Sequence, residues 1–152
     1  EPRAPTPEAR LRAVSRLHGA GIRVRVNAMP VLPGVTDAPH QLEALVRRVA
    51  EAGADAIVAG SLALRSTARQ RYLPFNEQEF PELAPRYRAA FARSHVLGQR
   101  YRDGLKRRVR ALCARHGLPY GDWEDDRSEG PSAGARITLA GYAPSRAARR
   151  AQ

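Results

Sequence analysis

Apolar and polar residues alternate over Ile22-Arg23-Val24-Arg25-Val26-Asn27, a period of two that predicts a strand with one face turned to a core. β-Branched residues at the apolar positions suit a pleated surface. Pro30 and Pro33 then lack the N–H a ladder needs, Gly34 supplies a turn, and Asp37 is placed to cap the helix that follows. In a βα unit such a loop lies at the carboxyl end of its strand, where open α/β sheets and (β/α) barrels build their sites. The stretch from Gly21 to Asp37 is therefore the one expected to touch a ligand.

The period changes to that of a helix on both sides of this strand. Thr6-Pro7-Glu8 is a helix start, Leu11, Val14 and Leu17 form a stripe, Gly19 and Gly21 close it, and His18 sits in the last turn. A second helix is predicted from about Ala38 to Ala52, with Leu42, Leu45, Val46 and Val49 inward, Gly53 as its stop and His40 facing solvent in its first turn. Asp55 leads into the apolar run Ala56 to Leu64, which predicts a parallel strand covered on both faces. Helix, strand, helix, strand with short links is α/β grammar, and two strands alone cannot close a barrel. Arg65 to Phe80 reads as a polar, irregular loop pinned by Tyr72, Phe75 and Phe80. Helices are predicted near Pro81 to His95 and Gln99 to His116, the latter with Tyr101, Leu105, Val109, Leu112 and Cys113 inward. From Asp122 onward the composition predicts disorder, apart from a short strand at Arg136 to Leu139.

Composition adds three constraints. The 152 residues suffice for one domain, and an opening on Glu1 with Pro2 and Pro5 close behind suggests a piece of a longer protein. Cys113, the only cysteine, leaves no intrachain disulfide and no multi-cysteine metal site, and reads as a small buried hydrophobe in a cytoplasmic protein. The charge of +11 is uneven: residues 1–60 carry 8 basic and 6 acidic groups, 61–121 carry 13 and 4, and 122–152 carry 5 of each. The basic segment 61–121 is a candidate surface for nucleic acid or an acidic partner. Arg65, Arg69 and Arg71, clustered just past the second strand, are candidates to hold a carboxylate or phosphate, with Arg65 and Arg69 the primary pair.

The ordered set Thr6-Pro7-Glu8, Gly19-Ala20-Gly21-Ile22, Met29-Pro30-Val31-Leu32-Pro33-Gly34-Val35-Thr36-Asp37 and the helix ending Ala50-Glu51-Ala52-Gly53-Ala54 resembles the C-terminal half of radical S-adenosylmethionine proteins, in the branch related to spore photoproduct lyase. The resemblance covers about residues 1–65, extends through a helical extension over 66–121, and does not reach the tail 122–152. It implies the C-terminal part of a partial (β/α)6 TIM-like barrel. It also implies S-adenosylmethionine and a [4Fe–4S] cluster, which together generate a 5′-deoxyadenosyl radical that abstracts a substrate hydrogen. The family's three cluster cysteines, spaced C-x3-C-x2-C, are not in this chain and would lie upstream, in the missing N-terminal part of the same protein.

On that resemblance Asn27 would bond a ribose hydroxyl or the methionyl group, Met29 and Pro30 would pack on adenine, and backbone groups of Leu62 to Leu64 would meet adenine edges. Related sequences often read Leu-Arg-Leu-Pro where this chain has Ala63-Leu64-Arg65-Ser66. No metal ligands and no catalytic residue are assigned within the chain. The alternative is a non-catalytic basic binding module derived from such a fold. An aldolase-type barrel has little support, since Lys106, the only lysine, falls on an outer helix and no paired carboxylates flank the strand ends.

Overall fold

The computed structural model describes residues 4–121 and the short strand 135–138. Helix α1 spans Pro7–Gly19, and the Thr6 hydroxyl accepts from the Ala9 amide at 3.2 Å as its cap. It is followed by β1 (Val24–Val31), α2 (Pro39–Glu51) and β2 (Ala56–Ser61). Helices α3 (Ser66–Glu79), α4 (Ala84–Ala90) and α5 (Gln99–Arg115) come next, and β3 is Ala135–Thr138.

The sheet order is β2-β1-β3 and both pairings are parallel. Val26 lies opposite Ile57 and Asn27 opposite Val58, with the register shifting between Ala28 and Val31, where Pro30 has no N–H to give. Val24, Val26, Ala28, Val31 and Ile57 point to one side. There they pack on Val14 of α1, on Leu42, Val46 and Val49 of α2, and on Leu105, Val109, Leu112 and Cys113 of α5. A satellite core of Leu62, Leu64, Tyr87, Phe91 and Leu97 joins the exit of β2 to α4.

The expected part of a partial (β/α)6 TIM-like barrel is not what forms. The described strands make a small open sheet, two strands joined through α2 with the short β3 on the far side of β1, and nothing closes it. Closure needs more strands, tilted and staggered around a ring, than these βα units contain. The second face of the sheet, carrying Arg25, Asn27, Met29, Val58 and Gly60, is only half-buried, so β2 is not covered on both faces as its apolar run suggested.

Smaller corrections have local causes. Arg65 to Phe80 is not an irregular loop: residues 66–79 form α3, whose helical pattern Pro74 and the scattered polar residues obscure. The helix expected over Pro81 to His95 is trimmed to Ala84–Ala90. Ile22 precedes β1 and is 37% exposed. Asp37 does not cap α2, whose N-cap is Ala38 with no side-chain hydrogen bond. The predicted disorder from Asp122 onward lies outside the described residues except at β3, which forms within one residue of the expected strand.

Candidate functional site at the carboxyl ends of β1 and β2

Asn27 and Met29 alternate with the buried Val26 and Ala28, so β1 presents them on the side opposite the helices. The Asn27 carboxamide oxygen is shielded from solvent and has no hydrogen-bond partner among the described residues. Met29 lies across β2: a Cβ added at Gly60 would stand 2.8 Å from its sulfur and 2.9 Å from its Cγ and Cε. Glycine at position 60 thus leaves room for the thioether. Pro30 is exposed at the strand end. These residues form one small surface, apolar at Met29, Val58 and Pro30, with the Asn27 carboxamide set into it.

The loop leaving β1 is braced from within and from behind. Within it, the Leu32 amide donates to Thr36 Oγ1 at 2.8 Å and the Gly34 amide to Asp37 Oδ1 at 2.7 Å. Behind it, the Tyr101 hydroxyl donates to Asp37 Oδ2 at 2.9 Å and the Tyr87 hydroxyl to the Pro33 carbonyl at 2.8 Å. Arg108 Nη1 reaches the Asp37 carbonyl at 3.4 Å, and the Leu83 side chain fills the space beside Gly34, where the backbone takes φ +74°. Burial, and for Tyr101 the bond to Asp37, hold both phenols well above the ordinary tyrosine value, so they stay protonated donors at neutral pH. Between the loop and α4 and α5 lies a cleft of about 210 Å³ lined by Pro33, Leu83, Tyr87, Leu97 and Tyr101, among others.

The remaining sequence candidates sit elsewhere. Leu62 and Leu64 are buried, and their amides already donate to the Val31 carbonyl at 3.2 Å and the His95 carbonyl at 2.7 Å. An antiparallel bridge between Ala63 and Val96 ties this segment to the chain before α5. Arg65 is the exposed N-cap of α3 and Arg69 lies one turn on, half-buried, so both belong to the helix beyond β2. His40 is exposed, as expected, and the His18 ring packs over Gly53.

The sequence pattern placed Tyr101 inward on its helix but gave no sign of the hydroxyl contacts that Tyr101 and Tyr87 make. The available signal was a tyrosine, rather than leucine or phenylalanine, at an inward helix position. On α5, Arg110 stacks 5.0 Å over the Tyr120 ring and Arg115 pairs with Glu43 at 2.9 Å, so part of the basic segment is engaged internally. Among the described residues no group of histidine, cysteine, aspartate and glutamate is arranged to hold a metal ion. No helix among them is long and apolar enough to cross a membrane.

No family model and no solved structure matches the chain. It is similar to uncharacterised proteins of Mycobacterium bovis and of two strains of Mycobacterium tuberculosis, each 36% identical over 114 residues. The matched region covers 75% of this chain and 34% of each relative, so the chain spans about a third of the length of the curated relatives it matches.

Proposed function

We propose that this chain is a portion of a longer iron–sulfur radical S-adenosylmethionine enzyme, lending it the strand-end surface around Asn27, Met29 and Gly60. The observation that carries the reading is the parallel register of β1 and β2, which sets these residues on the sheet face opposite α1, α2 and α5. A carboxamide oxygen with no donor among the described residues fits a ribose hydroxyl or the methionyl ammonium group of S-adenosylmethionine, and Met29 with Pro30 offers an apolar seat for adenine. Leu62 and Leu64 contribute backbone groups beyond β2, and Arg65 and Arg69, just past its exit, are the cations offered to an anionic substrate group. When bound, the cofactor and cluster supply hydrogen-atom abstraction. The residues of this chain orient and shield, and none of them is a cluster ligand. That the mycobacterial relatives are about three times longer than the matched region agrees with a portion rather than a whole. The proposed location is the cytoplasm, in keeping with a single buried cysteine.

The test is equilibrium binding of S-adenosylmethionine to the full-length protein and to its Asn27→Ala and Gly60→Leu variants. Asn27→Ala is expected to weaken binding by about tenfold or more, the scale of one lost hydrogen bond to a charged or buried group, and Gly60→Leu to weaken it as much by filling the surface beside Met29. Unchanged affinity in both overturns the assignment of this surface.

A further inference from the structure

Beyond Arg69, helix α3 takes no part in the strand-end surface, yet it carries an unusual combination of side chains. Ala68, Arg71, Tyr72 and Phe75 follow the i, i+3, i+4, i+7 spacing and so share one face. With Leu62, Ala63 and Leu64 at the exit of β2 they line an open groove of about 460 Å³. Phe75 is 49% exposed, and it and Ile22 are the large hydrophobic residues left exposed among the described residues. Arg65, Arg69 and Arg71 make no ion pair among the described residues, while Glu77 on the same helix is held by Arg88 at 2.7 Å. The groove therefore combines an apolar floor with the unpaired guanidinium of Arg71 in its lining, and Arg65 and Arg69 stand on the same helix end outside that lining.

We infer that this groove is a docking site for an acidic polypeptide segment bearing an apolar or aromatic anchor. Charge complementarity selects the acidic partner, and the floor of leucine and alanine selects the anchor. The aromatic rings argue against a nucleic acid. Phe75 lies tilted against Tyr72 at 6.1 Å and edge-on to Phe80 at 6.3 Å, and Tyr72 leans on Tyr87 at 5.7 Å. These ring contacts are made within the protein, whereas single-stranded nucleic acid needs free ring faces along a cationic track. The inference needs neither cofactor nor cluster, although Leu62, Leu64, Arg65 and Arg69 also border the strand-end surface.

The experiment is fluorescence anisotropy of a labelled glutamate–tyrosine copolymer with the full-length protein, beside labelled polyglutamate and oligothymidylate. Phe75→Ala and Arg71→Glu are each expected to weaken copolymer binding by about fivefold or more. Ala68→Glu, at an exposed position of the same face, is expected to do so without removing a ring. Arg93→Glu, outside the groove lining, is expected to change binding by less than about twofold. The inference is overturned if Arg93→Glu weakens binding as much as Arg71→Glu, if polyglutamate binds as tightly as the copolymer, or if oligothymidylate binds more tightly than either.

Discussion

Tyr101 donates its phenolic hydrogen to Asp37 across 2.9 Å, tying α5 to a loop 64 residues earlier in the chain. The same carboxylate accepts the Gly34 amide through its other oxygen, so a single side chain links the turn at Gly34 to the helical layer behind it. A loop bonded in this way keeps its shape without a ligand to order it, which is what a strand-end binding surface requires.

Removing only that hydroxyl tests the brace. Tyr101→Phe is expected to cost about 1–2 kcal/mol in urea unfolding, the range for a hydrogen bond to a charged acceptor that is partly solvated. Amide exchange at Gly34 is expected to accelerate while exchange in β2 stays unchanged. A variant as stable as the parent, with Gly34 equally protected, shows that the contact is not formed in solution.

Gly60→Ala places a methyl group within 2.8–2.9 Å of three Met29 atoms. The clash is expected to cost about 1–3 kcal/mol, the usual range for overpacking. The cost should largely vanish in a Met29→Ala background, as a double-mutant cycle would show. Simple additivity of the two changes would mean that Met29 does not lie over Gly60.

Asn76 is fully buried in α3, and neither of its carboxamide atoms has a hydrogen-bond partner among the described residues. Asn76→Leu is therefore expected to raise stability by about 1 kcal/mol or more, since an unsatisfied polar group costs that much to bury. A drop in thermal midpoint for the leucine variant would point instead to a partner that the buried amide does find.

Burial pushes the Cys113 thiol from an ordinary value near 9 up to about 11. A folded-state value raised above the unfolded one gives stability that is complete below pH 9 and lost as pH rises through 11, because only the unfolded chain ionises freely in that window. Tyr87 and Tyr101, also raised, act in the same direction above pH 10. Denaturation midpoints should thus fall between pH 9 and 11, and a thiol reagent at pH 8 should label Cys113 only after unfolding. Rapid labelling of the folded chain would contradict the burial.

The elements that follow from local pattern were legible in the sequence. Thr6 and Pro7 mark the start of α1, Leu42, Val46 and Val49 mark the buried face of α2, and the alternation at Val24 and Val26 marks β1. What eluded the sequence depends on contacts between distant residues. Asp37 has the chemistry of a helix cap, but Gly34 and Tyr101 claim both of its oxygens, and no local rule weighs a tyrosine 64 positions away. The apolar run from Ala56 to Leu64 carries no sign that the described helices α1, α2 and α5 all pack on one side of its sheet, because their placement is decided by long-range packing. Strand closure is equally invisible to periodicity, which is why a familiar order of motifs suggested a barrel where an open sheet forms. In the site, Asn27 and Met29 could be placed on one face by counting in twos, while the room that Gly60 makes for Met29 required the parallel register.

The most direct test of the central claim is to purify the full-length protein without oxygen, measure its iron and sulfide, and supply dithionite with S-adenosylmethionine. The account predicts a bound cluster of about four irons and as many sulfides, and formation of 5′-deoxyadenosine that falls about tenfold or more in the Asn27→Ala variant, the scale of one lost hydrogen bond. A full-length protein that carries no iron–sulfur cluster and leaves S-adenosylmethionine intact would contradict it.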